Sequence, residues 1–299
     1  MNKSYTILHL LIVATLSFNL QAREIKVASL NLQWFGIGGE HSGLESDEYR
    51  HQWVSEFLAT EYAGGDVITF QEVINFKLLK KMMKPLKHQC ISYEKKFINH
   101  QKVAICFNKN KYKAIASPRY PDYIIDELSY VGSKKGYLRP AVYIKLIDKK
   151  TNENIANIIA LHLKASPNKR SALIRIDQVR ALSKALSGES GHHIILGDFN
   201  SHTKEKTSFQ KDDIDFYNEI LKDNAIKKVD DFNKVTYRVK GRSLHLDHIY
   251  ISSNISATPI KVNDACKHYG SHLKRFSNFV FYNRFISDHC LIQTKLRLK

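Results

Sequence analysis

The chain has 299 residues, 43% of them hydrophobic, enough for one large domain with a substantial core. No Gly/Ser-rich or Pro-rich linker and no internal repeat divides it, and the lack of any Cys-x-x-Cys pair argues against a structural zinc site. The formal net charge is +17, from 46 Lys and Arg against 29 acids. Such a surplus points to a polyanionic partner, because each phosphate neutralised by Lys or Arg releases condensed counterions.

Residues 1–22 read as a leader. Lys3 gives a positive start, Ile7 to Leu20 is mostly apolar but too short and broken for a membrane span, and Leu20-Gln21-Ala22 offers a small residue before a cut. A secretory signal peptide is expected, with one domain over 23–299, exported to the periplasm or beyond if the source is bacterial; an uncleaved anchor is the alternative. Ile25 to Leu30 then predicts a buried strand that delivers Asn31. Tyr49, Trp53, Phe57 and Leu58 keep helical spacing, and Gly64-Gly65 stops that helix. Asp66 to Gln71 predicts a second strand, ending at Glu72. Lys77, Lys80, Lys81 and Lys84 follow at helical spacing, which fits a solvated face or a track for phosphates.

Cys90 and Cys106 flank a hairpin, Ile91 to Ile105, with its turn near Asn99-His100; a bond between them is sterically allowed if the register suits. The four cysteines admit three full pairings, and Cys290, in an apolar strand, reads rather as a buried free thiol. Ile158 to Leu161 predicts a strand ending at His162. Leu173, Ile176, Val179, Leu182 and Leu186 repeat as a helix before Gly188. Ile194 to Gly197 is a short β-branched run that leads into Asp198-Phe199-Asn200. An acid and an amide two residues apart can hold and orient a water, although the same residues also fit a plain Asx turn. Asp247 to Ile251 and Cys290 to Ile292 predict further strands, the latter preceded by Ser287-Asp288-His289. Between them, Lys267 to Arg284 mixes Lys267, Lys274, Arg275 and Arg284 with Tyr269, Phe276, Phe279 and Tyr282. That mixture suits backbone steering with base stacking, or the core packing of a strand near Phe279-Val280-Phe281.

One amide-acid set recurs at the ends of these apolar runs, and in this order the pieces resemble the endonuclease/exonuclease/phosphatase superfamily that contains deoxyribonuclease I. The matching segments are Ser29 to Gly36, Phe70-Gln71-Glu72-Val73, Arg139-Pro140-Ala141, Leu161 to Ser166, Gly197-Asp198-Phe199-Asn200, Leu246-Asp247-His248-Ile249 and Ser287-Asp288-His289. The resemblance implies an α/β fold, a four-layer sandwich of two mixed β-sheets flanked by helices. It implies metal-dependent hydrolysis of phosphoesters, with Asn31, Glu72 and Asp288 about a Mg²⁺ ion (Mn²⁺ or Ca²⁺ as alternatives). It further implies that Asp198 and Asn200 manage the water, that Asp247 orients His289, and that His162 and Arg139 address phosphate. Lys164 and Arg242 stand near these motifs, whereas His192, His193, His245 and His248 carry no role and read as surface or packing residues. One departure stands out. The family pairs its first histidine with a glutamate before the strand equivalent to Val103 to Phe107, and here Gln101 occupies that place. This leaves open whether His162 moves a proton or only donates to phosphate.

Three activities compete on these residues. A secreted Mg²⁺-dependent nuclease of low sequence specificity, acting on DNA in preference to RNA, accounts best for charge and motifs together. Such a chain is expected as a monomer with no stable membrane association after leader removal. A sphingomyelinase or phosphoinositide phosphatase of the same fold would want an apolar protrusion beyond Phe279 to Tyr282. A non-catalytic binding protein or toxin subunit would show losses among the catalytic residues.

Overall fold

A computed structural model describes residues 23–39, 44–93, 100–132, 138–201, 213–229, 234–239, 242–267 and 275–298. The expected leader, Asn99 of the hairpin turn, and Tyr269 and Lys274 of the basic-aromatic segment lie outside them. The first sheet begins with β1 (Arg23–Phe35), β2 (Val67–Val73), β3 (His88–Ile91) and β4 (Lys102–Asn108). The second holds β5 (Tyr112–Ile115), β6 (Ile124–Ile125), β7 (Ala141–Asp148), β8 (Asn154–His162), β9 (His193–Asp198) and β10 (Ile226–Lys228). A separate hairpin, β11 (Tyr237–Val239) and β12 (Arg242–Leu244), precedes β13 (Asp247–Ser252), which returns to the second sheet. The chain then re-enters the first sheet with β14 (Ser256–Ala257), β15 (Lys261–Val262) and β16 (Ile292–Leu298). The helices are α1 (Asp47–Glu61), α2 (Phe76–Met83), α3 (Lys169–Leu186), α4 (Asp213–Lys222) and α5 (Phe279–Phe285). No helix among the described residues is long and apolar enough to cross a membrane.

The strand order is β14-β16-β1-β2-β4-β3 in one sheet and β10-β13-β9-β8-β7-β5 in the other, with β15 also on β16 and β6 also on β7. Both sheets are mixed, as the resemblance implied. Each has one parallel pair, β1 with β2 and β8 with β9, and each pair is joined through a helix, α1 or α3. Parallel neighbours need such a crossover, and the carboxyl ends of the strands it joins come out on one side. Burial follows the two-residue period of a strand. Along β8, Ile158 and Ala160 join the core that also holds Val27, Ile68 and Phe70 of the first sheet, while Ile159 and Leu161 pack with Ile176, Val179 and Leu182 of α3. The helical expectations hold in span. Tyr49 and Leu173 nonetheless sit 56% and 46% exposed, and the buried stripe of α1 runs instead through Arg50, Val54, Phe57 and Leu58.

Two sequence expectations are corrected. Phe279-Val280-Phe281 is helix, not strand. Asn278 caps it, accepting from the Phe281 N–H at 3.1 Å, and the i, i+4 spacing stacks Phe281 on Phe285 with centroids 4.7 Å apart. Phe276 and Tyr282 are buried against Phe57, and Arg275 lies over Trp53 and pairs with Glu56, so the described part of the segment is packing rather than a stacking platform for bases. Cys290 is not a free thiol. It is bonded to Cys266, while Cys90 is bonded to Cys106 across the β3–β4 register, and no free cysteine remains among the described residues. β15 pairs with β16 and so carries Cys266 to Cys290, a proximity set by long-range topology. The Cys266–Cys290 loop spans 24 residues. Replacing both cysteines by Ser is expected to lower the unfolding free energy by about 3 kcal/mol in urea melts, from restored chain entropy. A midpoint unchanged from that of the oxidised wild type would show that the bond is not stabilising.

Candidate active site

The carboxyl ends of the two parallel pairs face one another, and the polar residues read from the sequence meet there. β1 delivers Asn31 and β2 delivers Glu72; β8 delivers His162 and β9 delivers Asp198. The Asn31 amide donates to both acids, to Glu72 Oε1 at 3.1 Å and to Asp198 Oδ2 at 3.0 Å, linking the two sheets. His162 Nε2 is 3.3 Å from Asp198 Oδ2 and 3.9 Å from Glu72 Oε1. On the other flank, β13 sets Asp247 directly opposite Asp198 in register. The Asp247 carboxylate meets His289 Nδ1 at 2.8 Å, which turns His289 Nε2 toward Asp198 Oδ2 at 3.7 Å. Asn31, His162, Asp198, Asp247 and His289 are all buried, and Glu72 is half-buried.

The backbone is bent to make these approaches. β2 carries a bulge between Phe70 and Val73, where Glu72 sits at φ 58°, and β1 has a matching irregularity where Gln33 and Trp34 sit at φ 42° and 54°. Non-glycine residues in this region cost free energy that the surrounding structure must supply, and such sites gather where function is built. The Trp34 N–H donates to Glu72 Oε2 at 3.3 Å, and the Gln33 N–H to Asn31 Oδ1 at 3.0 Å. Gly197 has no side chain because a Cβ there would lie 2.1 Å from the Leu161 carbonyl oxygen, so only glycine lets β9 place Asp198 beside His162. Asp198-Phe199-Asn200 is both things its sequence suggested. Asp198 Oδ1 accepts from the Asn200 N–H at 2.8 Å in an Asx turn, and its second oxygen faces the histidines. The Asn200 side chain turns away from that oxygen and donates to the Leu163 carbonyl at 3.2 Å.

These groups do not titrate like free side chains. Burial drives the His162 imidazole well below the usual histidine range, helped by the charges of Arg139, His289 and Lys164, so it stands neutral. Burial disfavours charge on His289 too, but Asp247 and Asp198 outweigh it and hold the ring protonated well above its ordinary range. Burial raises the Asp198 carboxyl against the pull of His289, and raises Asp288 to about 6, with Glu72 adding to the rise. Two histidines in one site are thus driven in opposite directions, the pattern that separates a neutral donor from a proton carrier.

The model of the Endonuclease/Exonuclease/phosphatase family matches residues 16–289. The chain belongs to that family. Its members are phosphoesterase hydrolases dependent on divalent metal. Among solved structures, an endonuclease/exonuclease/phosphatase family protein from Bacteroides thetaiotaomicron superposes with TM-score 0.62 at 16% identity, over 93% of this chain and 99% of that one. D. rerio TDP2 complexed with a single-strand DNA product superposes with TM-score 0.62 at 14% identity, over 91% and 98%. The Bacteroides thetaiotaomicron mannosyl-6-phosphatase does so with TM-score 0.59 at 16% identity, over 91% and 99%. These likenesses carry the fold. No sequence among the curated proteins matches.

As a member of the family, the chain has a donor set that fits a hard divalent cation. Glu72, His162 and Asp198 each bring an atom within 4.8 Å of the others; Asp198, Asp247 and His289 are as close, but His289 is protonated and committed to Asp247, so the carboxylates beside Asn31 are the fitting donors. Asp288 belongs to neither group; its N–H is held by Gln33 Oε1 at 3.0 Å, beside Glu72. Gln101 does not orient His162. Its amide nitrogen donates to Glu72 Oε2 at 2.8 Å and its oxygen accepts from Arg139, so it bridges acid and base. His162 Nδ1 has no hydrogen-bond partner among the described residues. Lys164 is half-buried, its Nζ on the Ala165 carbonyl, and Arg242 is exposed on β12. His248 and His193 are buried and serve packing, His248 through the Ser201 hydroxyl at 2.8 Å.

Four supports had no role in the sequence reading, although Ser287 stood in one of its matching segments. Arg50, buried within α1, donates to the Leu32 carbonyl at 2.6 Å, to Gln33 at 3.2 Å and to Ile286 at 2.9 Å, tying the Asn31 arm to the His289 arm. Ser287 Oγ adds a bond to the Asn31 carbonyl at 2.7 Å and accepts from the His289 N–H at 3.0 Å. Thr236 Oγ1 receives the N–H groups of Leu246 and Asp247, both at 3.0 Å, and Tyr237 packs its ring 4.9 Å from that of His289. Only Arg50 left a sequence signal, a charge at the i−4 position from Val54 on the apolar stripe.

Proposed function

We propose that the chain is an exported, metal-dependent phosphodiesterase that hydrolyses nucleic acid, DNA above all, with little regard for sequence. The observation that carries this reading is the Asp247–His289–Asp198 line beside Glu72: an oriented, protonated imidazole facing a carboxylate at an acidic edge. Asp198 accepts the proton of the attacking water, whose oxygen bonds to phosphorus as the bond to the leaving oxygen breaks. His289, held by Asp247, gives its Nε2 proton to the departing oxygen. Neutral His162 donates to a phosphate oxygen, and Arg139 with Lys164 offsets the charge of the neighbouring phosphate. Glu72, with Asn31 and Asp288 beside it, would hold the divalent ion, which when bound neutralises charge developing on the phosphoryl oxygens. The +17 formal charge supports a long polyanion over a small phosphomonoester. The leader-like pattern of residues 1–22 supports export and release.

The purified chain should nick supercoiled plasmid and degrade single-stranded DNA in Mg²⁺, lose both activities in chelator, and leave sphingomyelin and phosphoinositides intact. Hydrolysis of lipid headgroups without any nucleic-acid cleavage would move it to the phospholipase reading. Retention of every catalytic residue with no hydrolysis of any phosphoester would make it a binding protein.

A further inference from the structure

A cavity of about 500 Å³ opens between the edges of the two sheets. One wall is Cys90 to Tyr93, at the end of β3; the other is Pro121 to Ile124, leading into β6; Phe76 and Lys80 of α2 close it. Tyr93 is buried, while Phe76 and Tyr123 are half-buried and keep part of their rings open. Tyr123 is held at φ 62°, a conformation bulky residues rarely adopt, by bonds from its N–H to Tyr120 at 3.0 Å and from the Tyr143 N–H to its carbonyl at 2.8 Å. The mouth is basic. Lys80 is exposed, 5.0 Å over the Phe76 ring, and Lys77, Lys81 and Lys84 continue along the outer face of α2 while Leu79, Met82 and Met83 are buried.

The cavity adjoins the catalytic edge on two sides. Phe76 follows Glu72 by four residues. The Tyr93 hydroxyl donates to the Gln101 carbonyl at 3.1 Å, and the Gln101 side chain holds Glu72. The charge of Arg139 also reaches the Tyr93 hydroxyl, opposing the rise that burial imposes. The lining suits a flat ring better than a sugar, because Ser92 Oγ is already spent on the Val103 carbonyl at 2.6 Å while the half-buried rings of Phe76 and Tyr123 line the walls.

We propose that this cavity takes a nucleobase of the substrate strand, from a nucleotide beside the scissile bond, with that nucleotide's phosphate on Lys80. This rests on the reading of the chain as a nuclease. A base in the cavity has left its own stack, so the strand is single or locally opened, and single-stranded DNA is the preferred substrate. The Lys77-Lys80-Lys81-Lys84 stripe is then the track for the backbone leading away from the site.

The test compares cleavage of an oligodeoxynucleotide with cleavage of the same backbone made of abasic tetrahydrofuran units. The wild type should show a KM about tenfold higher on the abasic strand, the loss of one stacked base. Tyr123→Leu, which keeps bulk and removes the aromatic face, should raise KM on the base-bearing strand by about the same factor with kcat little changed, and should no longer distinguish the two strands. Lys80→Glu should raise KM on both. Wild-type KM in both variants, or a Tyr123→Leu variant that weakens the two strands equally, overturns the proposal. If the wild type cleaves other phosphoesters but neither strand, the nuclease reading fails on its own. The cavity is then tested by titrating adenosine monophosphate calorimetrically. Binding to the wild type that Tyr123→Leu abolishes sustains a base site, and absent or equal binding removes it.

Discussion

Asp247→Asn and His289→Ala should each lower turnover roughly a thousandfold or more, and the double variant should be scarcely worse than the poorer single one. The reason is the 2.8 Å contact between Asp247 Oδ2 and His289 Nδ1. With Asn at 247 the ring loses the largest of the charges that keep it protonated against burial, together with the partner that directs its Nε2 proton. With Ala at 289 nothing remains for Asp247 to orient. Two side chains that act as one unit give penalties that do not multiply. Initial rates on a DNA substrate for the four proteins decide it, and a double variant whose loss is the product of the single losses would show that the pair does not work together.

Glu72→Gln should abolish turnover and raise thermal stability in metal-free buffer. Glu72, Asp198, Asp247 and Asp288 crowd one edge, and the repulsion that helps lift Asp198 and Asp288 toward neutrality is relieved when one charge is removed without change of shape. Mg²⁺ should then separate the two proteins. The wild type should gain melting temperature as the ion is titrated, because a ligand that binds only the folded state stabilises it by mass action, and the variant should gain little. Near-normal activity in the variant, or an equal Mg²⁺-dependent shift in both, would place the ion elsewhere.

What the sequence disclosed about this site was local. An apolar run followed by Asn31, Glu72, His162 or Asp198 states both that a strand ends and what it ends in, because burial and turn chemistry act within a few residues. Which strand ends would meet depended on pairings far apart in sequence, and the family resemblance supplied them. The supports fell outside both. Arg50 reaches carbonyls of β1 and of the turn after α5, contacts that no local pattern encodes. Gln101 was identified as the departure from the family's glutamate, yet its real partners, Glu72 and Arg139, required coordinates. Phe279 to Phe281 misled because three consecutive apolar residues carry no period. The deciding residue was the cap, Asn278, immediately before them. Cys290 misled for the opposite reason: its apolar setting was read correctly, but its partner Cys266 lies in a short turn, Asp264–Cys266, brought alongside by a two-residue strand that no local pattern announces.

The place of β1 within its sheet governs when the activity can first exist. β1 lies between β2 and β16, paired with β16 from Arg23 opposite Leu298 to Ser29 opposite Ile292. A ribosome makes β16 after every other strand described here, and Ser287 and His289 only just before it. Until then the strand that bears Asn31 has one bare edge, and the cleft lacks the imidazole that Asp247 is to orient. Joining segments so distant along a polymer is slow and comes late in folding. A nascent polypeptide therefore carries Glu72, Asp198 and Asp247 before it carries Asp288 or His289, and the site is not yet assembled. On the proposed nuclease reading, the cell that synthesises this hydrolase handles an inert precursor until synthesis is nearly complete, with no inhibitor needed to keep its own DNA safe during that interval.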